Sequence, residues 1–144
     1  MKLFVKKQSK DELKQSIKAF AKSTGVKKVT YNCKAVYIEG SYNHKTRIIF
    51  ISSRLPKKDT LSTFFHELAH HIACKRGIWK KYHTQVVTNP EYAFLVENRI
   101  DYLAKKLWNK YVDSAIWGKY QYTYKKANRR KHLNFLKIFY GIDS

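Results

Sequence analysis

The chain has 144 residues, 44% of them hydrophobic and 15% aromatic, which suits one compact domain over 1–144 with a true core. No apolar run approaches the roughly 18 residues of a membrane helix, and the apolar patch of Leu3, Phe4 and Val5 in "MKLFVKK" is too short for a signal-peptide core, so no membrane partner and a cytoplasmic location are expected. Lys+Arg 30 against Asp+Glu 10 gives a net charge of +20, a field that opposes self-association and favours a monomer, while Cys33 and Cys74 form no CxxC pair and exclude a disulfide framework or a cysteine-rich zinc knuckle.

Ser9 with Glu12 three residues on is a capping box, and Leu13, Ile17, Phe20 and Ala21 follow at helical spacing up to Gly25, so a first helix is expected over 10–23. From Val26 to Ser52 the pattern changes to short β-rich runs, "VKKVTYNC", "AVYIEG" and "TRIIFIS", separated by the polar turn "EGSYNHK"; two or three antiparallel strands are expected. Pro56 breaks the chain and Asp59 reads as an N-cap. Leu61, Phe64, Phe65, Leu68 and Ile72 then form the apolar stripe of a buried helix of about four turns ending near Gly77.

A loop with Trp79, Tyr82 and His83 leads to a third helix, capped by Asn89 with Pro90 in its first position, running to about Trp108 on a stripe of Ala93, Val96, Ile100, Leu103 and Leu107. The remainder ends in an amphipathic helix expected over 128–140. Its "KYQYTYKK" and Arg129, Arg130 and Lys131 are the densest basic part. Two readings of the charge stand: non-specific nucleic-acid binding, which +20 favours, or the lysine, Tyr, Asn, Ile and Phe bias of A+T-rich codons.

Inside the second helix lies "HELAH". Residues i and i+4 of a helix stack on one face, so His66 and His70 present their imidazoles to one point, the geometry of a two-histidine metal clamp. Zinc fits such a pair, because neutral imidazole suits it and catalytic zinc takes three protein ligands plus water. Glu67 sits on the adjacent edge as a general base rather than a ligand. Thr63, Ala73, Cys74 and Gly77 keep the same side small. His71 points about 100° away from His70 and receives no role.

Glu97 borders the apolar stripe of the third helix, where an unpaired carboxylate is costly and a metal offsets the cost, so it is the expected third ligand. His83, 13 residues after His70, is its rival. Glu91, in the first turn after Pro90, favours the helix dipole instead. Asp101, one turn beyond Glu97, either accepts a hydrogen bond from a ligating histidine or pairs with Lys105 at i+4.

Over about a third of its length, from "TLSTFFHELAHHI" to "VENRIDYLAKKL", the chain resembles the zincin metallopeptidases with a glutamate ligand, and among them the ImmA/IrrE-like peptidases. In that family the HExxH helix is followed by a helix of the form E-x-x-A-[ND]-x-F-A. Here "ENRIDYLA" matches it with Glu97, Asp101 and Ala104, with Ile100 in place of the small alanine. The resemblance implies an α+β zincin-like fold, a small mixed or antiparallel sheet packed on the HExxH helix, and zinc-dependent hydrolysis of a protein substrate such as a DNA-bound repressor. A second resemblance is to SprT-like peptidases, which act on DNA-bound proteins and use a later histidine ligand; "YHTQVV" matches their His-Gly-x-x-Phe poorly. From another class, a nucleic-acid-binding protein with a structural zinc is the alternative, and Glu67 argues against it, because a closed site needs no base.

Overall fold

The computed structural model describes Phe4 and residues 8–32, 39–77 and 90–113, with side chains of the last helix described from Val96 onward. Among them are α1 (Lys10–Ser23), β1 (Lys28–Asn32), β2 (Gly40–Asn43), β3 (Ile48–Ser52), α2 (Lys57–Lys75) and α3 (Pro90–Tyr111), an α+β arrangement with one small mixed sheet. The expected loop residue His83 and the helix over 128–140 lie outside the described residues.

The capping box forms as its spacing dictates. Ser9 Oγ accepts from the Glu12 amide at 3.1 Å, and the Ser9 amide donates to Glu12 Oε1 at 3.2 Å. Leu13, Ile17, Phe20 and Ala21 are buried, and the chain leaves the helix through Gly25 at φ +92, in the left-handed region that side chains avoid.

The sheet is mixed, as the family resemblance allows, and not all-antiparallel as the strand runs alone suggest. Its order is β1-β3-β2: β3 is antiparallel to β2 but parallel to β1, with Lys28 opposite Ile48 and Asn32 opposite Ser52. Residues 35–38 of the expected run "AVYIEG" lie outside the described residues, and the second described strand, Gly40–Asn43, falls inside the stretch that reads as a turn. Composition misled here because the side chains of β2 alternate, Gly40 and Tyr42 half-buried and Ser41 and Asn43 exposed, as an edge strand with one packed face requires. The turn comes one step on, where Asn43 Oδ1 accepts from the Lys45 and Thr46 amides and Arg47 closes the hairpin at φ 58.

α2 begins at Lys57, two residues before the expected cap. Pro56 is the extended N-cap residue, its carbonyl accepting the Thr60 amide at 2.8 Å, and Asp59 sits in the first turn, where its charge favours the helix dipole. Every residue from Thr60 to His71 is buried, so α2 is covered all round by α1, β2, β3 and α3 rather than being amphipathic. An aromatic cluster holds one end: Phe65 meets Phe4 at 5.8 Å and Trp108 at 5.9 Å between ring centroids. Phe4 is fixed by backbone bonds to both sides of Val112, its amide donating to Tyr111 O at 2.9 Å and its carbonyl accepting from the Asp113 amide at 3.0 Å. On α3 the fully buried row is Val96, Ile100, Ala104 and Trp108; Leu103 and Leu107 are only half-buried, and the helix continues to Tyr111. Cys74 is half-buried and free. No helix among the described residues is long and apolar enough to cross a membrane.

β2 lies so close to α2 that only glycine fits at its start. A Cβ on Gly40 would collide with Thr63 Cγ2, lie 2.9 Å from the Phe50 carbonyl oxygen and meet Glu67 Cγ at 3.5 Å. Gly40→Ala is therefore expected to destabilise the fold by about 1–3 kcal/mol through overpacking, with Thr63→Ser in the same chain recovering part of the loss. Urea unfolding of the two variants checks this, and an unchanged midpoint for Gly40→Ala would refute the close approach.

Candidate metal centre

Helical periodicity puts His66 and His70 on one face of α2, ring centroids 5.0 Å apart, and α3 packs along that face. This packing carries Glu97 between the two rings. Its Oε2 lies 3.0 Å from His66 Nε2 and its Oε1 3.1 Å from His70 Nε2, so one carboxylate spans both imidazoles. One ligand atom from each of the three residues lies within 4.8 Å of the others, a group that could hold a metal ion. Two imidazole nitrogens and a carboxylate oxygen form a donor set suited to a borderline divalent cation.

Asp101, fully buried, brings Oδ1 to 3.0 Å from His66 Nδ1. An Nδ1 proton shared with that carboxylate leaves Nε2 as the ligating atom. Glu67 follows His66 on α2 and is buried, with its Cγ beside the start of β2. His66, Glu67 and His70 are 5–7% exposed, so the charges here act in a medium poorer in water than the surface.

Burial alone would pull the His66 pKa down, but its hydrogen bonds to Asp101 and Glu97 and the charges of Glu97 and Glu67 outweigh it and hold the imidazolium well above the ordinary value. Burial likewise pushes Glu97 up, and the charge of His70 with the hydrogen bonds from His66 and His70 overcomes it, holding the carboxyl well below its usual range. Without metal, the raised His66 pKa contributes stability that is present below the ordinary histidine value and lost as pH rises through the raised one. The depressed Glu97 pKa contributes stability that is present above the ordinary glutamate value and lost as pH falls through the depressed one. A metal must displace the His66 Nε2 proton, so its affinity changes with the opposite sign to the His66 contribution. The gain in melting temperature on adding metal to chelator-treated protein is expected to grow between about pH 6 and pH 8; a gain that shrinks over that range would contradict this protonation state.

The sequence-expected residues His66, His70, Glu97 and Asp101 thus meet at one point, with Glu67 adjoining. Sequence reasoning passed over His71. It is buried at 1% exposure, its Nε2 donating to the Thr24 carbonyl at 3.0 Å and its Nδ1 accepting from the Tyr42 hydroxyl at 2.7 Å. Burial pushes the Tyr42 phenol up to about 12, which keeps it a donor at neutral pH, and burial also lowers the His71 pKa. The 100° offset that turns His71 from the metal face turns it toward β2 and the loop after α1. Only the position of those elements could have given it a partner.

A family model of the M78 peptidases, described as the IrrE N-terminal-like domain, matches residues 14–112, more than half of the chain and the whole of the cluster above. Comparison with curated proteins found no match, and comparison with solved structures found none either.

Proposed function

Because the chain belongs to the IrrE N-terminal-like family of metallopeptidases, we propose that it hydrolyses peptide bonds of a protein substrate with a zinc ion held by His66, His70 and Glu97. The observation that carries the reading is the Glu97 carboxylate set against both Nε2 atoms, a set of three ligands that leaves further coordination positions for water and substrate. When bound, zinc supplies Lewis acidity, making a water more acidic and polarising the scissile carbonyl.

The chain's own groups do the rest. Glu67 accepts the proton of the attacking water and returns it to the leaving amine, a role its burial favours by raising the worth of a well-placed base. Asp101 keeps the His66 ring oriented and its Nδ1 protonated. β2 lies at the sheet edge with Gly40 beside Glu67, so an extended peptide can hydrogen-bond along it within reach of the base. The proposed machinery falls within 14–112, and we read 1–144 as one catalytic domain. A DNA-bound repressor is the substrate class that the family resemblance and the +20 charge favour.

The test is elemental analysis of the purified full chain, followed by incubation with candidate DNA-bound repressors before and after chelation. About one zinc per chain and cleavage that disappears with chelator and returns with zinc are expected. Cleavage that survives complete metal removal would overturn the reading.

A further inference from the structure

Away from the metal centre, α1 carries a lysine every fourth residue: Lys10, Lys14, Lys18 and Lys22. Residues four apart are neighbours on a helix surface, so like charges so placed repel one another. Two of them converge further. Lys14 Nζ and Lys18 Nζ lie 5.1 and 5.8 Å from the centroid of the same ring, that of Tyr31 on β1. The N-terminal end of the row is held beside the turn after β3, because Lys10 Nζ donates to the Ser53 carbonyl at 2.8 Å and Lys57 Nζ to the Gln8 carbonyl at 3.0 Å. Exposed Arg54 adjoins it there. Against these cations stand two acidic residues of α1, Asp11 and Glu12, and Glu12 is engaged in the capping box.

We infer that this ledge of α1, with Tyr31 at its middle, docks the phosphate backbone of duplex DNA without reading its sequence. From Lys10 to Lys22 the row spans about 18 Å, a length over which one DNA strand presents about five phosphates. A phosphate placed between Lys14 and Lys18 relieves the repulsion of two ammonium groups gathered at one ring, and it meets a surface of fixed rather than freely moving cations. An anionic membrane fits less well, since membrane-surface helices set large apolar side chains beside their cations. The large hydrophobic residue exposed among the described residues is Tyr102, on α3 and not on α1. Neither α1 nor β1 supplies a residue to the cluster of His66, His70 and Glu97, so docking and peptide hydrolysis are separable, and this inference stands whether or not the chain is a peptidase.

The experiment compares three full-length proteins: the parent, Lys10→Gln/Lys14→Gln/Lys18→Gln, and a control with the same loss of charge elsewhere, Lys45→Gln/Lys106→Gln/Lys110→Gln. Glutamine retains helix propensity, and circular dichroism verifies the fold. Fluorescence anisotropy with two 20-base-pair duplexes of unrelated sequence is read from low to physiological salt. The parent is expected to bind both duplexes alike, with affinity falling steeply in salt. The α1 variant is expected to bind at least tenfold more weakly than the control at low salt, with its log–log salt slope reduced by about 2 to 3, near 0.9 per lost phosphate contact. Equal losses in the two variants would leave only general charge and overturn the ledge, as would a parent that binds no duplex. Loss of binding to anionic phosphatidylserine vesicles with duplex binding intact would also overturn it, in favour of a membrane surface.

Discussion

Glu67→Gln is expected to retain about one metal ion per chain and an unchanged fold while lowering hydrolysis of a validated substrate by about 10²–10⁴-fold, the usual contribution of a positioned general base. The amide keeps the size and shape of the side chain, which matters at a buried position with β2 packed against its Cγ. What it removes is the capacity to take a proton from water. His66 and His70 keep their places on α2, and Glu97 keeps its contacts to both. Rates measured on the same substrate for parent and variant, with metal content determined on the same preparations, separate loss of the base from loss of the ion. Turnover near the parent's would sink the role assigned to Glu67. Inactivity of both proteins on casein would not bear on it, because a selective peptidase need not accept an unstructured general substrate.

The second large effect concerns the ligand that completes the centre. Glu97→Ala is expected to give a folded protein that is largely free of metal, since two imidazoles remain where three donors stood. Asp101→Asn acts through His66 alone, and about 10- to 100-fold in metal affinity is expected of a group that orients a ligand. His83→Ala is expected to keep near one zinc per chain. Glu97 is presented by a helix packed along α2, whereas His83, expected from the sequence alone in a loop, lies outside the described residues. Competition with a chelator of known affinity measures all three variants on one scale. Should zinc survive Glu97→Ala and be lost in His83→Ala, the glutamate assignment fails. A later histidine ligand of the SprT-like kind then replaces it, and crosslinked proteins on DNA become the substrates to test first.

Some of this was legible in the chain because it is local. The capping box of Ser9 and Glu12 and the stop at Gly25 bound α1, and the four-residue spacing of His66 and His70 implies one face of one helix whatever surrounds it. Where local signals competed, the sequence misled. Asp59 is as good a cap by composition as any, but Pro56 already holds the extended backbone from which the helix starts two residues earlier. Residues 40–43 read as a turn because glycine, serine and asparagine are turn formers. They became a strand because β3 supplies hydrogen bonds on one side and α2 accepts a glycine at close range.

By itself, then, the sequence determined the pair of histidines, the glutamate between them and the helices that carry the chemistry, since a helix fixes the relations of residues three and four apart. Only the tertiary structure decided that Glu97, 31 residues after His66, lies within 3.1 Å of both rings, that Asp101 turns to His66, and that His71 joins Tyr42 to Thr24. Those contacts depend on how α3 and β2 pack on α2. Packing is settled by the shape and burial of whole faces, here the row Val96, Ile100, Ala104 and Trp108 on α3 and the bare backbone of Gly40 on β2, and no spacing along the chain encodes it.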